Sequence, residues 1–138
     1  MRLRGRSKLP RVYVDAKILN MHDLTLPREA YVGYVVEETG MHNVKRVDAA
    51  ESDDAEVLGI LFAIDELKGS MRRLAIVCDH ESVVSEAKRD VVKNPSALME
   101  RLRETLRENP SIELSVLQSN PAHGIITEYV NGLRSTPY

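Results

Sequence analysis

The predicted strands of this chain are connected in two different ways, and this difference constrains the fold more than any other sequence feature. Segments 31–38 and 44–49 are separated only by the turn sequence TGMHN, so they are predicted to pair as an antiparallel hairpin. The strands predicted at 73–79 and 112–119 each follow a helical segment instead. Because strand–helix–strand connections form right-handed crossovers, they place such strands parallel in one sheet. The chain is therefore predicted to form a mixed sheet.

The complete order of predicted elements is βββαβααβα, which is an α/β arrangement. The strands are predicted at 11–16, 31–38, 44–49, 73–79 and 112–119, and the helices at 53–67, 82–89, 97–109 and 125–133. The crossovers make strands 1, 4 and 5 parallel and leave strands 2 and 3 on the other side of strand 1. We therefore expect a five-stranded mixed sheet, in the order 3-2-1-4-5, flanked by helices.

Composition indicates one domain without a strong electrostatic field. A chain of 138 residues with 43% hydrophobic content can bury a single core, which we place at 11–138 after a basic tail at 1–10. The net charge of -2 means that any nucleic-acid contact needs a local patch. Since no apolar run is long enough for a membrane span or a signal peptide, we expect a soluble, cytoplasmic protein without membrane contact, and a monomer.

Glu56 is the only charged residue between Ala55 and Ile64, in a helix that otherwise reads as buried. Two interpretations are open. In the first, Asp53 is the N-cap of this helix and Glu56 closes a capping box three residues later. In the second, Glu56 faces a cleft and binds a cation. This stretch alone does not decide between them.

Two aspartates stand at the carboxyl ends of strands that are predicted to be neighbours. Asp15 ends VYVD in strand 1, and Asp79 follows IVC in strand 4. Open α/β sheets place their sites at these strand ends, and the helix that carries Glu56 lies over the same sheet. Clustered carboxylates repel one another unless hard cations such as Mg²⁺ or Mn²⁺ neutralise them, and two such ions together can cleave phosphodiesters. The three acids therefore predict a metal site.

Three segments carry a resemblance to a known family: VYVDA, DDAEVLGILFAI and VCDHESVVSEAKR. In order and spacing they resemble the ribonuclease H family, type 1, over nearly the full chain. The resemblance implies a metal-dependent endonuclease that cuts the RNA strand of RNA/DNA hybrids with two ions. It also implies that Asp15 bridges both ions, while Glu56 and Asp79 each help to hold one.

The resemblance further implies a fourth acid near the start of the last helix and a histidine before it. Glu128, in the sequence HGIITEYVN, is the nearest match for the acid, and Asn131 is the competing residue one turn later. His123 is predicted in the loop before that helix, where many relatives have a histidine thought to help product leave. A solvated loop histidine is the alternative interpretation.

The chain departs from the family pattern where relatives contact substrate. No glycine follows Asp15 in AKILNMHDLTLPREA, ESDD stands where relatives often have asparagines, and only DVVKNPS separates the two helices where some relatives carry a basic protrusion. Contact with nucleic acid is therefore predicted from Lys17 and from the tail residues Arg2, Arg4, Arg6 and Lys8. On the long helix, Arg101, Arg103 and Arg107 could contact phosphates or form a solvated face with interspersed glutamates.

Two functions of different classes follow from these observations. The first is an active two-metal endonuclease acting on RNA/DNA hybrids. The second is a catalytically weak or inactive module on the same fold that binds nucleic acid or a protein, and the missing glycine-rich turn is its main support. A related nuclease acting on structured DNA would use the same chemistry and is not separated from the first by sequence.

Overall fold

The computed structural model describes residues 10–20, 24–49, 51–117 and 121–135. The strands are β1 (Arg11–Leu19), β2 (Glu29–Val36), β3 (His42–Val47), β4 (Leu74–Cys78) and β5 (Ile112–Val116). The helices are α1 (Ser52–Leu67), α2 (Glu81–Lys88), α3 (Ala97–Glu108) and α4 (Ala122–Ser135). The predicted contacts of Arg2, Arg4, Arg6 and Lys8 lie outside the described residues. No helix in the described ranges combines the length and the apolar character needed to cross a membrane.

The five strands form one sheet in the order β3-β2-β1-β4-β5, which confirms the predicted topology. β1 pairs antiparallel with β2, so that Asp15 lies opposite Gly33. β1 pairs parallel with β4, and β4 pairs parallel with β5. The last β1–β4 pair is Tyr13 with Val77, so Asp15 and Asp79, each two residues further along the chain, are neighbours.

Alternate residues of β1 face different helices. Val12 and Val14 are fully buried in the main core, which includes Ile60 of α1. Tyr13, between them, packs in a separate cluster with Ala122 of α4. The side chains of a strand point alternately to opposite faces, so β1 carries α1 on one face and α4 on the other.

Most element boundaries differ by one to three residues from the sequence prediction, and two of these differences affect the candidate site. β1 runs on to Leu19, because the residues after Asp15 continue to pair with β2 although their apolar pattern is weak. α4 begins at Ala122, so His123 lies in the first turn of this helix, and the prediction of a loop position was wrong. Ala122 is fully buried against Tyr13, and this packing accounts for the earlier start.

The predicted capping box at the start of α1 was also wrong. The N-cap is Glu51, whose side chain makes no capping hydrogen bond, and the helix already includes Ser52 and Asp53. The Asp53 carboxylate instead lies 2.9 Å from Nε2 of His80, the residue before α2. Glu56 is thereby left to point inward rather than back along its own helix.

Arg103 of α3 has a structural role. This role bears on whether the arginines of α3 could contact phosphates or form a solvated face. Its guanidinium donates hydrogen bonds to the carbonyl oxygens of Glu86 (2.8 Å), Arg89 (2.7 Å) and Asp90 (3.1 Å). These bonds tie the carbonyl groups at and just after the end of α2 to α3. Arg103 therefore holds the α2–α3 connection, while Arg101 and Arg107 remain exposed.

Gly33 permits the close approach of α4 to β2. A methyl group on Gly33 would lie 2.8 Å from Cγ1 of Ile126 and 3.1 Å from the carbonyl oxygen of Asn43. We expect Gly33→Ala to lower the free energy of unfolding by about 1–3 kcal/mol, because it overpacks this contact. Gly124→Ala is the matched control on α4, where the added methyl meets open space and should be neutral or stabilising by up to about 1 kcal/mol. Urea denaturation of the two variants measures the difference, and equal stabilities would contradict the packing argument.

Candidate metal centre

Three carboxylates from three distant segments meet at one end of the sheet. Asp15 comes from β1, Glu56 from the second turn of α1, and Asp79 directly follows β4. One carboxylate oxygen from each residue lies within 4.8 Å of the others. The structure therefore brings together the three acids that the sequence predicted to converge.

The three acids differ in burial. Asp15 and Glu56 are each only 4% exposed, whereas Asp79 is exposed. The cluster thus has a buried floor and one side that is open to solvent at Asp79. A phosphate group that approached from solvent would reach the three acids from the side of Asp79.

An unpaired oxygen of Glu56 is the feature that best tests whether a cation fits this site. Its Oε2 atom is buried and has no hydrogen-bond partner among the described residues. Leaving a buried polar atom unpaired costs free energy, and a buried carboxylate is more costly still. A hard cation bound by oxygen ligands would satisfy this atom and offset the repulsion within the cluster, so these donors fit Mg²⁺ or Mn²⁺.

Burial and mutual repulsion change the proton affinities of the buried acids. Burial first, and then the nearby carboxylates of Asp15 and Asp79, raise the pKa of Glu56 to about 9. Burial also raises the pKa of Asp15, although a hydrogen bond from the backbone of Ala16 opposes the rise. In the protein without a cation, Glu56 is therefore protonated at neutral pH. Cation binding must release that proton.

His123 contacts the cluster directly. Its Nδ1 atom lies 2.9 Å from Oδ2 of Asp15, although 65% of the side-chain surface is exposed. The hydrogen bond and the charge of His123 lower the pKa of Asp15, against the larger effect of burial. The structure therefore places His123 beside the predicted site from a helical position, and its role there stays a prediction.

The other predicted site residues lie outside the cluster. Glu128 is exposed and lines a groove of about 450 Å³ with His42, Asn43 and Tyr129, between α4 and β3. Its carboxylate does not belong to the three-acid group, so its role as a fourth acid stays a prediction. Lys17 is half-buried on β1, two residues after Asp15 and therefore on the same face of the strand.

The start of α1 borders a cavity of about 780 Å³ that the sequence reasoning missed. Its lining includes Arg28, Glu51, Asp53, Asp54 and Glu86. The acids give this region a negative charge. Arg28 contributes a cation beside them, just before β2, and no sequence pattern singled it out because it lies in an irregular connection.

The fold class follows from the sheet order, the helices on both faces and the acids at the strand ends: this chain has a ribonuclease H-like fold. No family model matches the sequence, and no curated protein does. Among solved structures, ribonuclease H1 from the halophilic archaeon Halobacterium salinarum is similar, with a TM-score of 0.65 and 16% sequence identity. The match covers 90% of this chain and 98% of that one. At this identity the likeness establishes the fold, and the activity must be argued from the residues.

Proposed function

We propose that this protein is a metal-dependent endonuclease that hydrolyses the RNA strand of RNA/DNA hybrids. The buried, unpaired Oε2 of Glu56 within a cluster of three carboxylates is the observation that carries the proposal. Asp15, Glu56 and Asp79 would hold two Mg²⁺ or Mn²⁺ ions. Hybrid substrates are favoured by the motifs that resemble the ribonuclease H family and by the structural similarity to the archaeal ribonuclease H1.

The residues of the site have distinct tasks in this proposal. Bound in pairs, such ions supply an activated water for attack on phosphorus and stabilise the leaving 3′ oxygen. Asp15, which is buried, would help to hold both ions. Glu56 gives up its proton when a cation binds, and its burial fixes the orientation of its carboxylate. Asp79 faces the incoming phosphodiester, because it is the exposed member of the three acids.

Nucleic-acid contact would come from basic side chains near the three acids. Lys17 lies on the face of β1 that also carries Asp15, and we propose that it contacts phosphate together with Arg4, Arg6 and Lys8 of the basic tail. Arg103 is excluded from this role by its hydrogen bonds to backbone carbonyls. Contacts of this kind make substrate affinity fall as salt rises.

A cleavage assay with four labelled substrates tests the proposed activity. We expect internal cuts in the RNA strand of an RNA/DNA hybrid when Mg²⁺ or Mn²⁺ is present, and none in EDTA. Duplex RNA, duplex DNA and branched DNA serve as the comparison substrates. Preferential cutting of branched DNA would reassign the substrate, while the absence of any cation-dependent cutting would contradict the nuclease proposal.

A second candidate function is an inactive binding module on the same fold. It is favoured by the absence of glycine between β1 and β2 and by exposed acids at the start of α1, namely Glu51 and Asp53. These acids would repel phosphate along the substrate path. Such a module would bind a hybrid or a protein without cutting, and it would show no Mn²⁺ binding that depends on Asp15.

A further inference from the structure

We propose that the outer edge of β5, together with the basic cavity beside it, binds an extended acidic peptide segment of a protein partner. The segment would pair with β5 and add a strand to the sheet. The inference is independent of the three-acid group, because none of the residues that carry it belongs to that group.

β5 is an edge strand with one unpaired side. In the described part of the chain it pairs with β4 alone, so its other side has no strand partner. The N–H group of Leu117 donates to the carbonyl oxygen of Cys78 at 2.8 Å, which places the N–H groups of alternate residues toward β4. Leu114 and Val116 therefore direct their N–H groups away from β4. Such a row of backbone groups is a template for a further strand.

A cavity of about 610 Å³ lies beside this edge, between β5, the end of α2 and α3. Leu106 and Ile112 give it an apolar part. Its charged lining residues are four cations and two acids, namely Lys88, Arg89, Arg103, Arg107, Asp90 and Glu113. Since the whole chain has a net charge of -2, this lining is a local excess of positive charge that would attract an acidic ligand.

Arg103 fixes the shape of this cavity. Its hydrogen bonds to carbonyl oxygens hold the α2–α3 connection against α3. The side chains of Lys88, Arg89 and Arg107 are exposed around it. A ligand would therefore meet a preformed site, and less ordering has to be offset when it binds.

The direction of side chains in an added strand favours acidic residues. Leu114 belongs to the main core, which also includes Ala87 of α2 and Leu102 of α3, so its side chain faces these helices. Alternate side chains of a strand paired with β5 would point to the same face, where the cations of the cavity lie. Acidic side chains at these alternate positions would pair with them.

Two other occupants fit this surface less well. The edge of β5 offers N–H donors and carbonyl acceptors in turn, which a peptide satisfies, whereas the phosphates of a nucleic acid only accept hydrogen bonds. Asp90 and Glu113 would also repel phosphates. A second copy of this chain, paired edge to edge, would bring the two sets of cations together.

The edge lies close to the three-acid group. Val116 pairs with Cys78, the residue before Asp79. A partner bound along β5 would therefore be held at the end of the sheet where the acids converge. Such a partner would bring the proposed nuclease to the complex in which the partner acts.

Selection of peptides from a random display library on the whole protein, followed by amide hydrogen exchange, tests this proposal. We expect the selected peptides to carry acidic residues at alternate positions and to bind less tightly as salt rises. The N–H groups of Leu114 and Val116 should exchange rapidly in the protein alone and slowly when a selected peptide is bound. Those of Glu113 and Ser115 should be protected in both states, because they face β4.

Variants of the edge and of the cavity separate strand pairing from attraction by charge. Val116→Pro removes one outward N–H group and keeps the bonds to β4, since proline is tolerated on the solvent side of an edge strand. It should weaken peptide binding by about fivefold or more. Arg89→Gln and Arg107→Gln should each weaken it about threefold. Arg101→Gln is the matched control, because Arg101 is exposed on α3 but does not line the cavity, and it should leave the affinity unchanged.

The possible outcomes decide between the occupants. Selected peptides without an acidic bias would overturn the proposal, as would an affinity that Val116→Pro and both arginine variants leave unchanged. Binding that depends on the arginines but leaves exchange at Leu114 unaltered would show a charged patch without strand addition. A hybrid that slows this exchange where no peptide does would assign the edge to nucleic acid, and sedimentation of a dimer that Val116→Pro dissociates would assign it to a second copy. Urea denaturation confirms folding, and the arginine variants keep the test decisive if Val116→Pro is unstable.

Discussion

Replacing Asp15 with asparagine will abolish Mn²⁺ binding and reduce cleavage of the hybrid to the background level, while the fold is retained. Asp15 is the buried acid that is proposed to bridge both ions, and asparagine keeps its shape without its charge. The substitution also removes a buried carboxylate whose charged form is disfavoured by burial and by the nearby charge of Asp79, as the raised pKa of Asp15 indicates. The variant should therefore be at least as stable as the wild type without a cation.

Calorimetry with Mn²⁺, the hybrid cleavage assay and urea denaturation together check this result. Asp54→Asn is the matched control, because Asp54 lies two residues before Glu56 on α1 but outside the three-acid group. It should leave both Mn²⁺ binding and cleavage close to the wild-type values. Equal cutting by the wild type and Asp15→Asn would reject the assigned centre.

Glu56 should make the protein without a cation less stable as pH rises from 4.5 to about 9. Burial first, and then Asp15 and Asp79, raise the pKa of Glu56 from 4.5 to about 9 in the folded protein. Between these values the folded protein keeps a proton that the unfolded chain has released. The free energy of unfolding then falls with pH, by at most about 1.4 kcal/mol per pH unit for one group. The stabilisation is complete below pH 4.5 and is lost as pH passes through about 9.

Glu56→Gln isolates this effect, because glutamine is neutral at every pH and has nearly the same shape. Urea denaturation from pH 5 to pH 9 in EDTA should show a markedly flatter dependence for this variant, and higher stability than the wild type at the alkaline end. Glu108→Gln, at an exposed position of α3, should retain the wild-type dependence. Parallel curves for the wild type and Glu56→Gln would show that Glu56 is charged in the folded protein over this range. Saturating Mn²⁺ should flatten the wild-type curve, since the cation compensates the ionised carboxylates.

The local hydrophobic pattern and the connection lengths predicted the secondary-structure elements and the strand order of this protein. The short turn after β2 requires an antiparallel hairpin, and the helices before β4 and β5 require crossovers, so the sheet order followed from connections alone. The same order made Asp15 and Asp79 neighbours, because parallel strands end at the same edge. Glu56 was recognisable as a single charge in an apolar helix.

Features that depend on long-range contacts were predicted less well. Asp53 looked like an N-cap, but its carboxylate pairs with His80, a residue 27 positions later that no local pattern connects to it. His123 looked like a loop residue, but the burial of Ala122 against β1 extends α4 to include it.

The sequence by itself determined which strands are neighbours and which acids converge, because apolar periodicity and connection length are local properties of the chain, but it ended strand 1 too early, at Asp15. Only the tertiary structure decided that Glu56 is buried with an unpaired oxygen, that the Arg103 guanidinium binds backbone carbonyls, and that Glu128 lines a groove outside the three-acid group. These features depend on how closely each helix packs against the sheet and on how the helix is rotated about its own axis. That packing is decided by residues that are distant in sequence. Gly33 is an example, because it has no side chain and so lets Ile126 pack over β2.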